Sequence, residues 1–325
     1  MHREHLSASA ALVLTIPLLL CLPHTLVAAF SVYDYIPSSF GSPGTRSGGS
    51  LVRRDELSEY GFYNPLDYGG YMMTYIPTEY TVGLGEPVNA ILSAKSDPQI
   101  LIDQETNGGL RNYFLSFQFG AECLGQHEGS HQIIDLGDGN GPKNETAVIR
   151  YDYGDPSLGT CQETIQGGNH FRYWVQNGPQ RNSSAVFMAV SYEHTLQQNH
   201  LVILNGYNLG RDWAVGNATN QSQPINTSTV TNGSTFQGQT TFNGYTYSTT
   251  VRYMSGILQN TSNGVNHAGD VAPPGGNAID GLVSVFEAHI VGKPTSGKSA
   301  SAGHPVTWSW AVSTLAVTLL LTLLL

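Results

Sequence analysis

The sequence predicts an all-β protein, folded as an antiparallel β-sandwich with jelly-roll or immunoglobulin-like packing. Short apolar runs separated by turn residues recur from about residue 78, which is typical of strands. No long stretch repeats its apolar residues every 3.6 positions, as an amphipathic helix would. Asn243 and Gly244 stand between two alternating runs, and this dipeptide is the strongest short signal for a hairpin turn.

The alternating runs define a single sandwich domain over residues 76–292, which follows a Tyr-, Gly-, Ser- and Pro-rich arm at residues 30–75 that we expect to be poorly ordered. The run AVFMAVSY is apolar on both faces, so we expect a central strand that pairs with the preceding run FRYWV. The predicted strands are residues 88–93, 112–119, 132–136, 148–153, 170–175, 185–192, 201–204, 235–242, 245–253 and 282–291.

The run GNHFRYWVQ at residues 168–176 contains the candidate ligand-binding residues. Alternation places Phe171, Tyr173 and Val175 on one face and the candidates on the other. Such a face could stack on a sugar ring and bond its hydroxyl groups. The alternative is structural, with Arg172 paired to a carboxylate beneath a second layer. The candidates are His170, Arg172, Trp174 and Gln176.

Composition narrows the classes of partner. The chain has 325 residues, only 12 % of them charged, and a formal net charge of −10. A nucleic-acid partner would require a basic surface to replace phosphate counterions, so we expect none.

Both termini indicate export to the cell surface. Residues 1–29 have a short basic start, an apolar stretch, and Val27 and Ala29 ahead of a cleavage point, as in a secretory signal peptide. Residues 306–325 are apolar with no basic residue after them, and a small polar linker precedes them at residues 293–305. This pattern predicts a GPI anchor attached at Ser299, with a single transmembrane tail as the alternative.

The cysteines and the sequons also indicate a location at the cell surface. Cys21 leaves with the signal peptide, and Cys123 and Cys161 remain as a disulfide pair whose closure would stabilise the fold by about 4 kcal/mol. Residues 216–234 are almost purely polar and predict a glycosylated surface loop. The candidate N-glycosylation residues are Asn144, Asn182, Asn217, Asn220, Asn226, Asn232 and Asn260.

The run HEGSH matches the HExxH pattern of zinc peptidases, with His127 and His131 as ligands and Glu128 as the base. That chemistry needs both histidines on one face of a helix, and Gly125 and Gly129 disfavour a helix here. We therefore expect a polar loop rather than a metal site. Since no phosphate-binding loop or nucleophile elbow is found, the sequence predicts no cofactor.

Four runs, AECLGQHEG, NETAVIRYDYGD, GTCQETIQGGNHFRYWVQNG and NGYNLGRD, resemble an uncharacterised family of secreted proteins from mushroom-forming (basidiomycete) fungi. The resemblance covers about residues 70–215. It implies a secreted or surface protein and brings no catalytic residues.

We therefore expect a structural or glycan-binding surface protein rather than an enzyme, with cell-wall or extracellular glycans as partners and the membrane reached through its anchor. One alternative is a polysaccharide-active lyase or hydrolase that uses His170 and Arg172. Glu122 and Glu163 each lie near a cysteine in the sequence, so the disulfide could bring them close to each other. The second alternative is a zinc-dependent hydrolase at the HEGSH run.

Overall fold

The computed structural model describes residues 57–77, 83–127 and 129–295. The predicted signal peptide, most of the predicted arm, Glu128, Ser299 and the apolar tail lie outside these residues. All described residues fall within one compact unit. None of the helices in the described part of the chain is both long and apolar enough to cross a membrane.

The protein is mainly β, as the sequence predicts. In the described residues, four α-helices accompany twelve strands: α1 (Leu110–Ser116), α2 (Gly159–Gln166), α3 (Gly206–Ala218) and α4 (Ala268–Val271). The strands are β1 (Ala90–Leu92), β2 (Phe119–Ala121), β3 (Ile133–Ile134), β4 (Lys143–Asn144), β5 (Ala147–Tyr151), β6 (Gly168–Asn177), β7 (Asn182–Glu193), β8 (Thr235–Phe242), β9 (Tyr245–Met254), β10 (Asn260–Thr261), β11 (Ile279–Asp280) and β12 (Val283–Gly292).

The predicted antiparallel sandwich is not confirmed. Eight strands form one mixed sheet in the order β2-β5-β6-β7-β1-β12-β9-β8, and β1 runs parallel to β12. The other described strands form two small sheets, β10 with β11 and β3 with β4. Local alternation specifies which residues form strands, but it carries no information on how distant strands pair, so one sheet and two packed sheets look alike in sequence.

Each face of the large sheet carries a hydrophobic cluster. On β7, Val186 and Met188 belong to the cluster that includes residues of α1 and α3. The intervening Phe187 belongs to the other cluster, together with Phe62 and Trp174. The predicted central strand with two buried faces is therefore confirmed, and β7 pairs with β6 as expected.

The predicted hairpin is present at Asn243 and Gly244. Both residues have positive φ angles, 50° and 78°, as a type I′ turn requires. The turn fixes the register of β8 against β9, with Phe242 opposite Tyr245.

Two of the predicted strands are wrong. Residues 112–119 mostly belong to α1, because Leu110, Tyr113, Phe114 and Phe117 recur at helical spacing and are all buried. Residues 201–204 contain only an isolated bridge, from Val202 to the end of β7, before the chain enters α3. Helix α3 also takes up residues 216–218, the first part of the predicted polar loop.

Candidate metal centre

Strand β6 separates its side chains as alternation predicts. Phe171 and Tyr173 enter the cluster that contains residues of α1 and α3, and Trp174 enters the opposite one. The candidate residues therefore share one face of the sheet. That face is covered: His170, Arg172, Trp174 and Gln176 are all buried.

The burial of Trp174 and Gln176 removes the expected sugar platform. The Trp174 indole donates to the carbonyl of Lys143 at 3.2 Å and is fully buried. The Gln176 side chain accepts from the backbone N–H of Tyr63 and donates to the carbonyls of Tyr63 and Leu136. Since both side chains are enclosed in protein contacts, neither presents a surface on which a sugar could stack.

Arg172 is paired to a carboxylate, as the structural alternative expected. Its Nη1 donates to Glu145 Oε1 at 2.8 Å, and both side chains are nearly buried. The backbone N–H of Gln132 donates to the other oxygen, Oε2, at 2.8 Å. Glu145, in the connection between β4 and β5, is therefore held in one position by two donors.

The two histidines of HEGSH converge on Glu145 without a helix. A 3₁₀ turn covers Cys123–Gly125, and Gly129 has a φ of 87°, outside the helical region. The rings of His127 and His131 nevertheless stack, with centroids 4.4 Å apart and an interplanar angle of 11°. His131 Nδ1 lies 3.3 Å from Glu145 Oε1, and His127 Nε2 lies 3.8 Å from it.

We call His127, His131 and Glu145 the surface centre. One potential ligand atom from each residue lies within 4.8 Å of the others. The side chains of His127 and His131 are 31 % and 59 % exposed, whereas that of Glu145 is 2 % exposed. The carboxylate of the surface centre is therefore buried, whereas its two histidines are accessible to solvent.

The disulfide lies beside this centre. Cys123 and Cys161 are joined, with Cα atoms 4.5 Å apart, as the sequence predicts. The link ties the turn that contains Cys123 to α2, and Arg150 on β5 then bridges the two neighbouring acids. Arg150 Nη1 lies 2.9 Å from Glu163 Oε2, and its Nε lies 3.8 Å from Glu122 Oε1. The expectation that the disulfide brings Glu122 and Glu163 close is met through Arg150.

A second group lies deeper, between α2, β6 and β7. We call Glu163, His170 and Glu193 the buried centre; a ligand atom of each lies within 4.8 Å of the others. His170 Nδ1 is 3.6 Å from Glu193 Oε2, and His200 Nδ1 approaches the same oxygen at 3.4 Å. These two centres are the groups of at least three His, Cys, Asp or Glu residues with metal-ligand spacing in the described ranges.

Burial pushes the pKa values within the buried centre apart. Burial raises the pKa of the Glu163 carboxyl to about 7, although Arg150 opposes the shift. Burial lowers the pKa of His170 to about 4 against the field of Glu193, so its imidazole is neutral at pH 7. Burial would also raise the pKa of Glu193, but His170, His200 and Arg150 outweigh it and the pKa is lowered.

Sequence reasoning missed Glu145 and Glu193. A signal for Glu193 existed, because the predicted β6–β7 hairpin places Ser191 opposite His170, and Glu193 follows on the same face by alternation. Glu145 had no comparable signal. It lies beyond the paired part of β5, where strand alternation does not apply.

Comparisons with family models, with curated proteins and with solved structures found no match for this chain. The resemblance to secreted fungal proteins therefore stays a prediction.

Proposed function

We propose that the protein is a secreted metalloprotein of the cell surface that binds a divalent transition-metal ion at the surface centre. The observation that carries this proposal is the convergence of His127 and His131 on Glu145, with ligand atoms within 4.8 Å of one another. Imidazole and carboxylate together suit Zn²⁺ and its neighbours in the first transition row.

The spacing within the centre fits such an ion. Two ligands at about 2.1 Å from a tetrahedral Zn²⁺ lie about 3.4 Å apart. His131 Nδ1 and His127 Nε2 lie 3.3 Å and 3.8 Å from the Glu145 oxygen, close to this separation, and the stacked rings would have to rotate for both nitrogens to face one ion.

The residues around the ligands support the same assignment. His127 Nδ1 lies 3.0 Å from Glu122 Oε2, which orients the ring and leaves Nε2 facing Glu145. A carboxylate on the far nitrogen of a histidine ligand is the usual partner that fixes its tautomer. Arg172 and the N–H of Gln132 hold the third ligand.

The chemistry that this centre supports is hydrolysis. His127, His131 and Glu145 would hold the ion, and a bound Zn²⁺ would supply an activated water for attack on the scissile bond. The side chain of His131 is 59 % exposed, so solvent reaches the centre from the histidine side. A polymeric substrate could reach the centre from this side.

The proposed location outside the cell rests on the sequence. The predicted signal peptide, the predicted GPI signal with Ser299 as attachment site, and the sequons support a glycosylated protein at the outer face of the membrane or in the cell wall. The joined cysteines suit an oxidising compartment. Extracellular and cell-wall glycans are therefore the first substrates to test at the surface centre, rather than ligands of the buried β6 side chains.

The test is calorimetric titration of Zn²⁺ into the full-length protein after chelation. We expect the His131→Ala and Glu145→Gln variants each to lose one class of Zn²⁺ sites, with affinity reduced at least about 100-fold. His289→Ala is the matched control, because His289 is an exposed histidine between two carboxylates outside the centre. Unchanged Zn²⁺ binding in both variants would overturn the proposal.

A second measurement tests the reaction class. Zn²⁺-loaded wild type should release reducing ends from cell-wall polysaccharide faster than the His131→Ala variant, whose melting temperature is checked alongside. Equal rates in the two proteins would show that the ion at this centre does not act on glycans.

A further inference from the structure

We propose that the buried centre is a second, independent divalent-metal site, formed by Glu163 of α2, His170 of β6 and Glu193 of β7. It does not rest on the function proposed for the surface centre, because the two centres share no ligand.

The ligand atoms have the spacing of a metal site before any movement. They all lie within 4.8 Å of one another, and His170 Nδ1 lies 3.6 Å from Glu193 Oε2. This separation is close to the roughly 3.4 Å expected between two ligands of a tetrahedral ion.

Two of these side chains are fully enclosed and incompletely paired. Glu163 Oε1 and His170 Nδ1 are buried and have no hydrogen-bond partner among the described residues. A buried polar atom left in this state costs about 1–3 kcal/mol, so such atoms are usually satisfied by a bound species. Because they lie on residues that converge, one ion could satisfy both.

The opposite atoms of the same side chains are held by protein partners. Arg150 Nη1 donates to Glu163 Oε2 at 2.9 Å, which leaves Oε1 for a ligand. His170 Nε2 lies 3.4 Å from Ser191 Oγ, which leaves Nδ1 for a ligand. This is the arrangement of a metal-binding histidine, whose second nitrogen bonds a neighbouring acceptor.

Charge favours a cation at this position. The buried centre brings two carboxylates together, and Arg150 supplies one positive charge beside them. His170 adds an imidazole nitrogen, Nδ1, on the side that faces Glu193. Two carboxylate oxygens and one imidazole suit Zn²⁺, Co²⁺ or Mn²⁺.

His200 marks the outer side of the buried centre. Its Nδ1 lies 3.4 Å from Glu193 Oε2, and its side chain is partly exposed. An ion could enter past His200, whereas a sugar could not reach the fully buried Glu163. We therefore assign the buried centre a structural role, in which the ion ties α2 to β6 and β7.

Zn²⁺ titration of the full-length protein separates the two centres. We expect about two Zn²⁺ ions per chain in wild type, and about one in the His131→Ala variant. Adding Glu193→Gln to His131→Ala should reduce the remaining Zn²⁺ affinity at least about 100-fold. Glu287→Gln in the same background is the matched control, since Glu287 is an exposed acid that contacts His289.

A variant that keeps all three ligands controls for the possibility that Glu193→Gln prevents folding. Ser191→Ala removes no ligand, yet it should weaken Zn²⁺ binding at the buried centre about 10-fold by freeing His170 Nε2. Co²⁺ added to the His131→Ala protein should give visible absorption bands that are lost in the Glu193→Gln double variant.

The outcomes of the two proposals are distinguishable. A His131→Ala protein that binds no Zn²⁺ and gives no Co²⁺ bands overturns the buried site and leaves the surface centre intact. Wild type that binds one Zn²⁺, lost in Glu193→Gln but kept in His131→Ala, supports the buried site and overturns the surface one. Zn²⁺ binding in the His131→Ala background that is unaffected by Glu193→Gln would overturn the buried site.

Discussion

At the scale of single residues, Arg211 carries a positive charge into the interior from the middle of α3. Its guanidinium makes two bonds to Asp280, at 2.7 and 2.8 Å, and a third to Asp212 at 2.7 Å. It also donates to the carbonyl of Leu282. Because the planar fork of arginine matches a carboxylate, these contacts offset the cost of burying the charge.

Arg211→Lys should destabilise the protein by about 3–5 kcal/mol, since lysine cannot reproduce the fork and leaves the buried Asp212 underpaired. Urea unfolding monitored by fluorescence measures the loss. Arg252→Lys, at an exposed position on β9, is the matched control and should change stability by less than about 0.5 kcal/mol. Equal losses in the two variants would contradict this account.

His289 provides a pH-dependent contribution. The hydrogen bonds that His289 donates to the carboxylates of Asp97 and Glu287 raise its pKa above the ordinary value, although partial burial opposes the shift. The stabilisation is therefore fully present below about pH 6.5 and is lost as the pH rises through the folded-state pKa.

His289→Gln should lower stability by less than about 1 kcal/mol at pH 5.5 and have almost no effect at pH 9, because the pair is exposed and screened. Urea midpoints at the two pH values, repeated in high salt, measure the difference. A loss of the same size at both pH values would show that charge plays no part.

At the scale of secondary-structure elements, α3 depends on a glycine. A Cβ atom at Gly210 would lie 2.7 Å from the backbone carbon of Ser191, so α3 and β7 are in backbone contact there. Asn169 on β6 strengthens the contact by donating to the carbonyl of Gly210 at 2.8 Å. The same helix contains Gly216, where a Cβ would meet its nearest atom only at 3.9 Å.

These two glycines make a matched pair. Gly210→Ala should destabilise the protein by about 1–3 kcal/mol, because the helix must move away from β7. Gly216→Ala should be neutral or stabilise by up to about 1 kcal/mol, since alanine favours helix and finds space. Thermal unfolding of both variants measures the contrast, and two changes of the same sign and size would show that α3 does not pack through Gly210.

The elements also show where sequence reasoning succeeds. Strands β8 and β9 were predictable because Asn243 and Gly244 impose both turn and register locally. Helix α3 was missed because its glycines lower helix propensity, while its stability comes from contact with β7 that only the folded chain reveals. Helix α1 was predicted as a strand over residues 112–119. Without Leu110, its aromatic residues fit the spacing of a strand as well as that of a helix.

At the scale of the whole molecule, the candidate site was half predictable. The sequence identified His127 and His131 as a pair, and the absence of a helix argued against a metal site. That argument assumed that only a helix brings such histidines together. In the folded chain, a loop closed by the disulfide and a carboxylate held by Arg172 achieve the convergence. Contacts between Glu145 and residues 127–131 depend on tertiary structure and leave no local pattern.

The surface of the whole molecule also predicts which sequons are used. Asn144, Asn182, Asn220, Asn226, Asn232 and Asn260 are exposed, whereas Asn217 on α3 is half-buried. The Asn217 Nδ2 atom, which would carry the glycan, is itself buried. Mass spectrometry of the secreted protein should therefore find Asn217 unmodified and glycans at the exposed positions, and occupancy of Asn217 would contradict the placement of α3.

The most direct test of the metal-dependent function is a crystal structure of the protein grown with Zn²⁺, with diffraction recorded on both sides of the zinc absorption edge. The account predicts an anomalous peak at about 2.0–2.2 Å from His127 Nε2, His131 Nδ1 and a Glu145 oxygen, with Glu122 still on His127 Nδ1. No peak between these residues, with the two histidine rings turned away from Glu145, would contradict it.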